Sequence, residues 1–183
     1  GLLRKAVDNN LDFVVLEVTS HGLAQHRVLG CNFNIGVVTN VTREHLDYHK
    51  NWENYLNAKA KLFKNVNFKV LNKDDRSFSY LQKLDKGQII SYSLNKKANL
   101  LADEIQLGKD FTAFEYIYKD KFGTQESAQV ETSLIGKYNI YNILAAIAVC
   151  KALGIPPKTI VRAVKEFKGV KGRMEEIKNN KDF

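Results

Sequence analysis

The sequence lacks a phosphate-binding loop. No GxxxxGK[ST] pattern occurs in its 183 residues, and the dipeptide Gly136–Lys137 has neither the earlier glycine nor the following Ser or Thr. By itself the chain carries no recognisable ATP engine. It also lacks any apolar run of about 18 residues or more, and residues 1–10 read as an amphipathic helix instead of a signal peptide. A soluble, intracellular domain with no membrane contact is expected. Only two cysteines occur, Cys31 and Cys150, far apart in apolar surroundings and without CxxC or Cys/His ligand spacing. That favours buried free thiols over a disulfide or zinc site. The charge of +8, from 28 Lys plus Arg against 20 Asp plus Glu, would suit a polyanionic partner. The lysines are scattered, however, with no arginine-rich stripe and no aromatic pattern of an RNA-recognition strand. A solvated surface explains most of them, and no nucleic-acid partner is expected.

Repeats, low-complexity tracts and flexible linkers are absent too, so one domain of ordinary size, residues 1–183, is expected. Along it the pattern alternates. A helical opening (Leu2, Leu3, Ala6, Val7) is followed by LDFVVLEV, a continuous apolar run of the kind found in a buried parallel strand. A second run, FNIGVVTN, precedes NWENYLNAKAKLF, in which Trp52, Tyr55, Leu56, Lys59, Leu62 and Phe63 recur at helical spacing. NFKVLN predicts a strand, residues 75–84 a helix and QIISYSL another strand. From about 99 to 135 longer alternating stretches, FTAFEYIY and AQVETSLI, predict an antiparallel insertion turning at KDKFGTQ. The last third predicts a helix pair, with Gly154 ending the first helix and Pro156–Pro157, the only prolines, starting the second. The fold class expected is α/β: a mostly parallel, doubly wound sheet flanked by helices, with a small antiparallel β insertion. Both ends read as cut, Gly1 standing inside a helical pattern and Asp182–Phe183 carrying no terminator signal.

All four histidines lie between positions 21 and 49, in EVTSHGLAQHRV and NVTREHLDYH, each following a predicted buried strand. In open α/β sheets ligands bind beyond the carboxyl ends of the strands, so the two segments should converge on one crevice. Glu17, an acid near a buried strand end, is either a hard oxygen ligand for Mg²⁺ or a carboxylate paired with a lysine. His45, Asp47 and His49 alternate, which makes zinc thinkable, but no metalloenzyme signature accompanies them and satisfied loop histidines are the simpler reading. Lys59 alone is an ordinary helix lysine. Asn139 and Asn142, spaced i, i+3 at the start of an apolar helix, share a face and could grip a planar heterocycle or cap the helix.

Taken together, EVTSHGLAQHRV, VVTNVTREHLDYHKNWENYLNAKAKLF, LNKDD, GKYNIYNILAA and GRMEE resemble the central domain of Mur ligases of the MurE type, over about residues 12–176. In that family the phosphate loop lies just upstream and an amino-acid-binding domain just downstream, which would account for both blunt ends and the missing loop. The resemblance implies that Glu17 and His45 are magnesium ligands and that Lys59 is carbamylated, giving the ion an anionic oxygen where an ammonium would repel it. It further implies that Thr19, Ser20, Gln25 and Arg27 bind the UDP-MurNAc-peptide, Arg27 with a fork suited to phosphate or carboxylate. Asn139 and Asn142 would flank adenine and Arg173 would meet the nucleotide. Thr19 stands where Ser is commoner, and Glu44 where Asp is frequent.

The implied reaction is ATP-dependent addition of a third amino acid, diaminopimelate or lysine, to UDP-MurNAc-L-Ala-D-Glu through an acyl phosphate. It would run in the bacterial cytoplasm on a monomer, with Mg²⁺ as cofactor and ATP as co-substrate. The isolated segment is expected to be inactive. A cyanophycin-synthetase-like ligase shares the architecture, and a basic binding domain without chemistry is the alternative from another class.

Overall fold

The computed structural model describes residues 1–42, 46–170 and 172. Helix α1 (Leu2–Asp8) opens the chain, and α2 (Ser20–Ala24) follows an irregular stretch. Then come β1 (Ile35–Val38), α3 (Leu46–His49), α4 (Trp52–Ala60) with a 3-10 turn at Lys61–Phe63, β2 (Phe68–Asn72), α5 (Phe78–Leu81) and β3 (Gln88–Ser93). Strands β4 (Leu100–Leu107), β5 (Thr112–Lys119) and β6 (Gln125–Thr132) precede α6 (Lys137–Ala152) and α7 (Pro157–Glu166).

The six strands form one sheet in chain order. β1, β2, β3 and the start of β4 run parallel, and β4–β5 and β5–β6 are antiparallel. The antiparallel stretch is thus no separate layer: Leu100 pairs with Tyr92, so the insertion extends the parallel sheet on its β3 side.

Period-two alternation sends β2 side chains to both faces. Val70 enters a core shared with Tyr92, Phe114, Tyr116 and the α6 residues Ile140, Leu144 and Ile147. Leu71 enters the opposite core, with Val38, Tyr55, Leu56 and Phe63. Helices therefore cover both faces, as a doubly wound layer requires. Gly154, at φ 72°, closes α6: its N–H donates to the Lys151 carbonyl, and the Ile155 N–H donates to that of Cys150, the paired bonds of a Schellman end. Pro157 opens α7 at a position that needs no backbone donor.

Two expectations fail. The run LDFVVLEV is irregular and joins no ladder among the described residues, and its side chains from Leu11 to Glu17 are exposed, Val15 by 93%. A parallel strand gains its burial from neighbours on both sides. Here β1 is the outermost strand of the sheet, and the run instead borders α1 around an open apolar depression of about 470 Å³. Glu17 is consequently exposed, not held at a buried strand end. The helix expected over 75–84 is α-helical only over Phe78–Leu81. Beneath it lies Lys69, a strand lysine only 1% exposed, whose Nζ donates to the Leu81 and Leu84 carbonyls at 3.4 and 2.5 Å. Those bonds occupy acceptors at the helix end. Burial lowers the Lys69 pKa, against an opposing pull from Asp85. Cys31 and Cys150 are free and half-buried.

Candidate functional site

Thr19 caps α2: its Oγ1 accepts the Gly22 N–H at 3.0 Å. A Cβ on Gly22 would come within 3.2 Å of that oxygen, so the cap and the glycine belong together. The cap turns the next two side chains toward the segment after β1. Ser20, 3% exposed, holds its Oγ 3.0 Å from Nε2 of the buried His49. The His21 ring lies 4.1 Å from Tyr48 and 5.4 Å from His49, centroid to centroid. Gln25 Nε2 donates to the Tyr48 hydroxyl at 3.4 Å, and Arg27 is exposed just beyond.

The chain of contacts continues into α4, which Asn51 caps through the Asn54 N–H. His49 packs 5.2 Å from Tyr55, and Lys59, one turn on and half-buried, carries its Nζ 5.2 Å from the face of the same Tyr55 ring. Asn54 Nδ2 donates to the His49 carbonyl at 3.0 Å, fixing the entry to the helix. The EVTSHGL and HLDYH segments thus meet in one cluster, with Lys59 on its border. His49 there is buried at the end of α3 and bonded to Ser20, not placed in a loop. Among the described residues no group of three His, Cys, Asp or Glu stands ready to hold a metal ion. His45 and Arg173 lie outside the described residues.

A second constellation, which carried no role in the sequence, gathers at the carboxyl ends of β2 and β3. Asp74, of LNKDD, accepts from Ser93 Oγ at 2.8 Å, from the Leu94 N–H at 2.8 Å and from the Tyr141 hydroxyl at 3.0 Å. Burial alone would raise its carboxyl pKa. The Leu94, Ser93 and Tyr141 hydrogen bonds and the Lys96 ammonium outweigh that and hold it below the usual carboxylate value. The Tyr141 hydroxyl is pushed up to about 12 by burial, then by the bond to Asp74 and that residue's charge. Tyr141 lies on α6 between Asn139 and Asn142. The Asn139 amide donates to the Ile135 carbonyl at 2.9 Å, and the Asn142 amide to Asn139 Oδ1 at 3.4 Å. Both remain at the surface on the first turns of the helix, Asn142 the more exposed, and the helix start itself is capped by neither side chain.

A mostly parallel sheet with polar segments at the carboxyl ends of its parallel strands, covered by helices, is an open α/β layer of the class that takes ligands beyond those strand ends. The chain belongs to the Mur ligase middle domain family, whose model matches residues 1–150. It is 38% identical over 189 aligned residues to the UDP-N-acetylmuramoyl-L-alanyl-D-glutamate–2,6-diaminopimelate ligase of Bacillus velezensis, covering 98% of this chain and 38% of that protein. It is 36% identical to UDP-N-acetylmuramyl-tripeptide synthetase 2 of Oceanobacillus iheyensis, covering 98% of this chain and 37% of that protein. A crystal structure of the MurF ligase of Thermotoga maritima in complex with ADP superposes with a TM-score of 0.66 at 14% identity, over 88% of this chain and 36% of the other, a likeness of fold. The chain thus spans well under half the length of these relatives.

Proposed function

We propose that the intact protein is an ATP-dependent ligase that joins the third amino acid to UDP-MurNAc-L-Ala-D-Glu in peptidoglycan precursor synthesis. The observation that carries this reading is the match along 98% of the chain to an enzyme named for that reaction. The substrate carboxylate attacks the γ-phosphate of ATP and expels ADP, and the incoming amine then displaces inorganic phosphate from the acyl phosphate, giving up a proton as the amide forms.

Thr19, Ser20, Gln25 and Arg27 contact the UDP-MurNAc-peptide. Ser20 is held by His49 and Gln25 by Tyr48, so two of the four arrive oriented, which lowers the entropy cost of binding. Asn139 and Asn142 flank the adenine, from a helix whose position is set by Tyr141, and Arg173 meets the nucleotide. Glu17, His45 and Lys59 would hold Mg²⁺. The donor set fits only with Lys59 as a carbamate: a carboxylate, an imidazole and a carbamate oxygen suit a hard cation, whereas the ammonium over Tyr55 would repel it. When bound, the ion supplies neutralisation of charge between carboxylate and triphosphate. The reaction belongs to the cytoplasm, where UDP-linked precursors and ATP are available, and a monomer suffices for it. Among the described residues no helix is long and apolar enough to cross a membrane.

Phosphate release by the intact protein, with ATP, Mg²⁺ and UDP-MurNAc-L-Ala-D-Glu, tests the reading. Release that requires diaminopimelate or lysine supports it and identifies the third substrate. No release with either amino acid, from protein that binds ATP, refutes it and leaves a cyanophycin-synthetase-like substrate range to be tried.

A further inference from the structure

The two adjacent aspartates of LNKDD make bonds in two directions. Asp74 bonds to the end of β3 and to α6, as above. Its two oxygens take Ser93 Oγ, the Leu94 N–H and the Tyr141 hydroxyl, with Asn95 Nδ2 at 3.4 Å and the Lys96 ammonium at 3.9 Å. Asp75 bonds instead to the loop that leaves β1. Its Oδ1 accepts the Val41 N–H at 3.3 Å, together with the N–H and hydroxyl of Ser77. Val41 is 1% exposed, and its carbonyl accepts the Trp52 indole N–H at 3.0 Å. The Arg76 guanidinium stacks 4.0 Å from the Trp52 ring. Val41 is therefore gripped at both its N–H and its carbonyl. The turn carrying both aspartates is itself fixed: Asn72 Oδ1 accepts the Asp74 N–H at 3.0 Å, and the Lys73 N–H reaches the Tyr92 carbonyl at 2.8 Å.

We propose that LNKDD is a split positioning device. Through Tyr141, Asp74 sets the helix that carries Asn139 and Asn142 and so governs nucleotide affinity. Through Val41 and Trp52, Asp75 sets the start of α4, the helix that carries Lys59, and so governs the magnesium requirement. Both are positioning residues, and the inference rests on the nucleotide and metal roles proposed above. Rotating an aspartate off its partner costs a charge-assisted hydrogen bond, and that bond orients one half of the site only. The two halves should respond separately.

The test uses the intact protein. The ATP dissociation constant is measured by titration calorimetry without divalent cation, and the Mg²⁺ concentration giving half-maximal effect is measured at saturating ATP. Tyr141→Phe and Asp74→Asn should each raise the ATP dissociation constant about tenfold, the loss of one bond to a charged group, and leave the Mg²⁺ midpoint unchanged. Trp52→Phe and Asp75→Asn should raise the Mg²⁺ midpoint by a similar factor and leave the cation-free ATP constant unchanged. Tyr141→Phe and Trp52→Phe each keep an aromatic ring in place, so they decide the matter if an aspartate variant does not fold. Variants that move both quantities together, or neither, overturn the proposal, as does a wild-type protein that binds no ATP. If ATP binds with the expected Mg²⁺ response but UDP-MurNAc-L-Ala-D-Glu is not turned over, the proposed substrate fails, and these constants still decide the role of LNKDD.

Discussion

Gly36→Ala should destabilise the protein because of one ring. Gly36 lies inside β1, opposite Lys69 of β2, and a Cβ there would stand 2.9 Å from both Cδ1 and Cε1 of Phe63 and 3.4 Å from Leu62 Cγ. That is about half an ångström inside an ordinary carbon–carbon contact. Phe63 cannot simply swing away, being 2% exposed and packed in the core with Val38, Tyr55 and Leu56. Overpacking of this kind costs about 1–3 kcal/mol, and removing a glycine from a strand returns about 0.5–1 kcal/mol of chain entropy, so mid-range values leave a net loss of about 1 kcal/mol. With a urea slope of about 2 kcal/mol/M, the unfolding midpoint should fall by about 0.5 M at unchanged slope. The companion variant Phe63→Leu shortens the obstructing ring, so the double variant should be more stable than the two single losses added together, by at least about 0.5 kcal/mol. A midpoint that stays or rises in Gly36→Ala, or strict additivity with Phe63→Leu, would refute the argument that this glycine exists to admit Phe63. The 3-10 turn carrying Phe63 continues directly from α4, so the same displacement acts on the helix that bears Lys59.

Lys59→Ala in the intact protein should nearly abolish the proposed turnover, with partial rescue by a small carboxylic acid that takes the place of the proposed carbamate; unchanged turnover removes Lys59 from the mechanism. The Asp74–Tyr141 pair should limit stability at both ends of the pH scale. The Asp74 carboxyl is held below its ordinary value in the fold, so its contribution is full above about pH 4 and is lost as pH falls through the folded pKa. The stability deficit of Asp74→Asn should therefore shrink in acid, and a deficit independent of pH counts against the assignment. The Tyr141 hydroxyl is raised to about 12, so its contribution is full below about pH 10 and disappears as pH rises toward 12. Tyr141→Phe should flatten that alkaline loss in chemical-denaturation midpoints. Gly154→Ala, at φ 72° with open space around the added methyl, should cost about 1 kcal/mol through backbone strain alone, and Gly154→Asn less; equal stability of all three would remove the left-handed helix end as a stabilising feature.

Elements that carry their own local chemistry were the ones legible in the sequence. The α6–α7 junction could be read because Gly154 and Pro157 each solve a local backbone problem, wherever the helices go afterwards. β2 and β3 could be read because short apolar runs between turn residues need only one sheet to enter. LDFVVLEV has the same composition, yet composition reports a capacity for burial and not the presence of neighbours. With β1 outermost and no strand beside the run among the described residues, Phe13, Val14 and Val15 are exposed. The α5 region departs from its sequence pattern for the opposite reason. Its sequence permits a longer helix, but the buried Lys69 takes the Leu81 and Leu84 carbonyls from below, a bond between segments twelve and fifteen residues apart that no periodicity records.

The candidate site divides along the same line. The segments around His21 and His49 announced themselves by clustering every histidine of the chain, and the fold brings them together through Ser20 and Tyr48. LNKDD was visible as a motif but had no readable role, because the partners that give it one are Val41, Ser93 and Tyr141. In sequence each of these is an ordinary strand-end, strand or helix residue. Asp74 and Tyr141 are 67 positions apart, and Val41 and Asp75 are 34 apart. Only the parallel order of β1, β2 and β3, which lines up their carboxyl ends, makes one turn the neighbour of both the loop after β1 and the start of α6. Two aspartates in succession are then what the geometry asks for: in a tight turn consecutive side chains diverge, and each can hold a different element while the backbone between them stays fixed by Asn72.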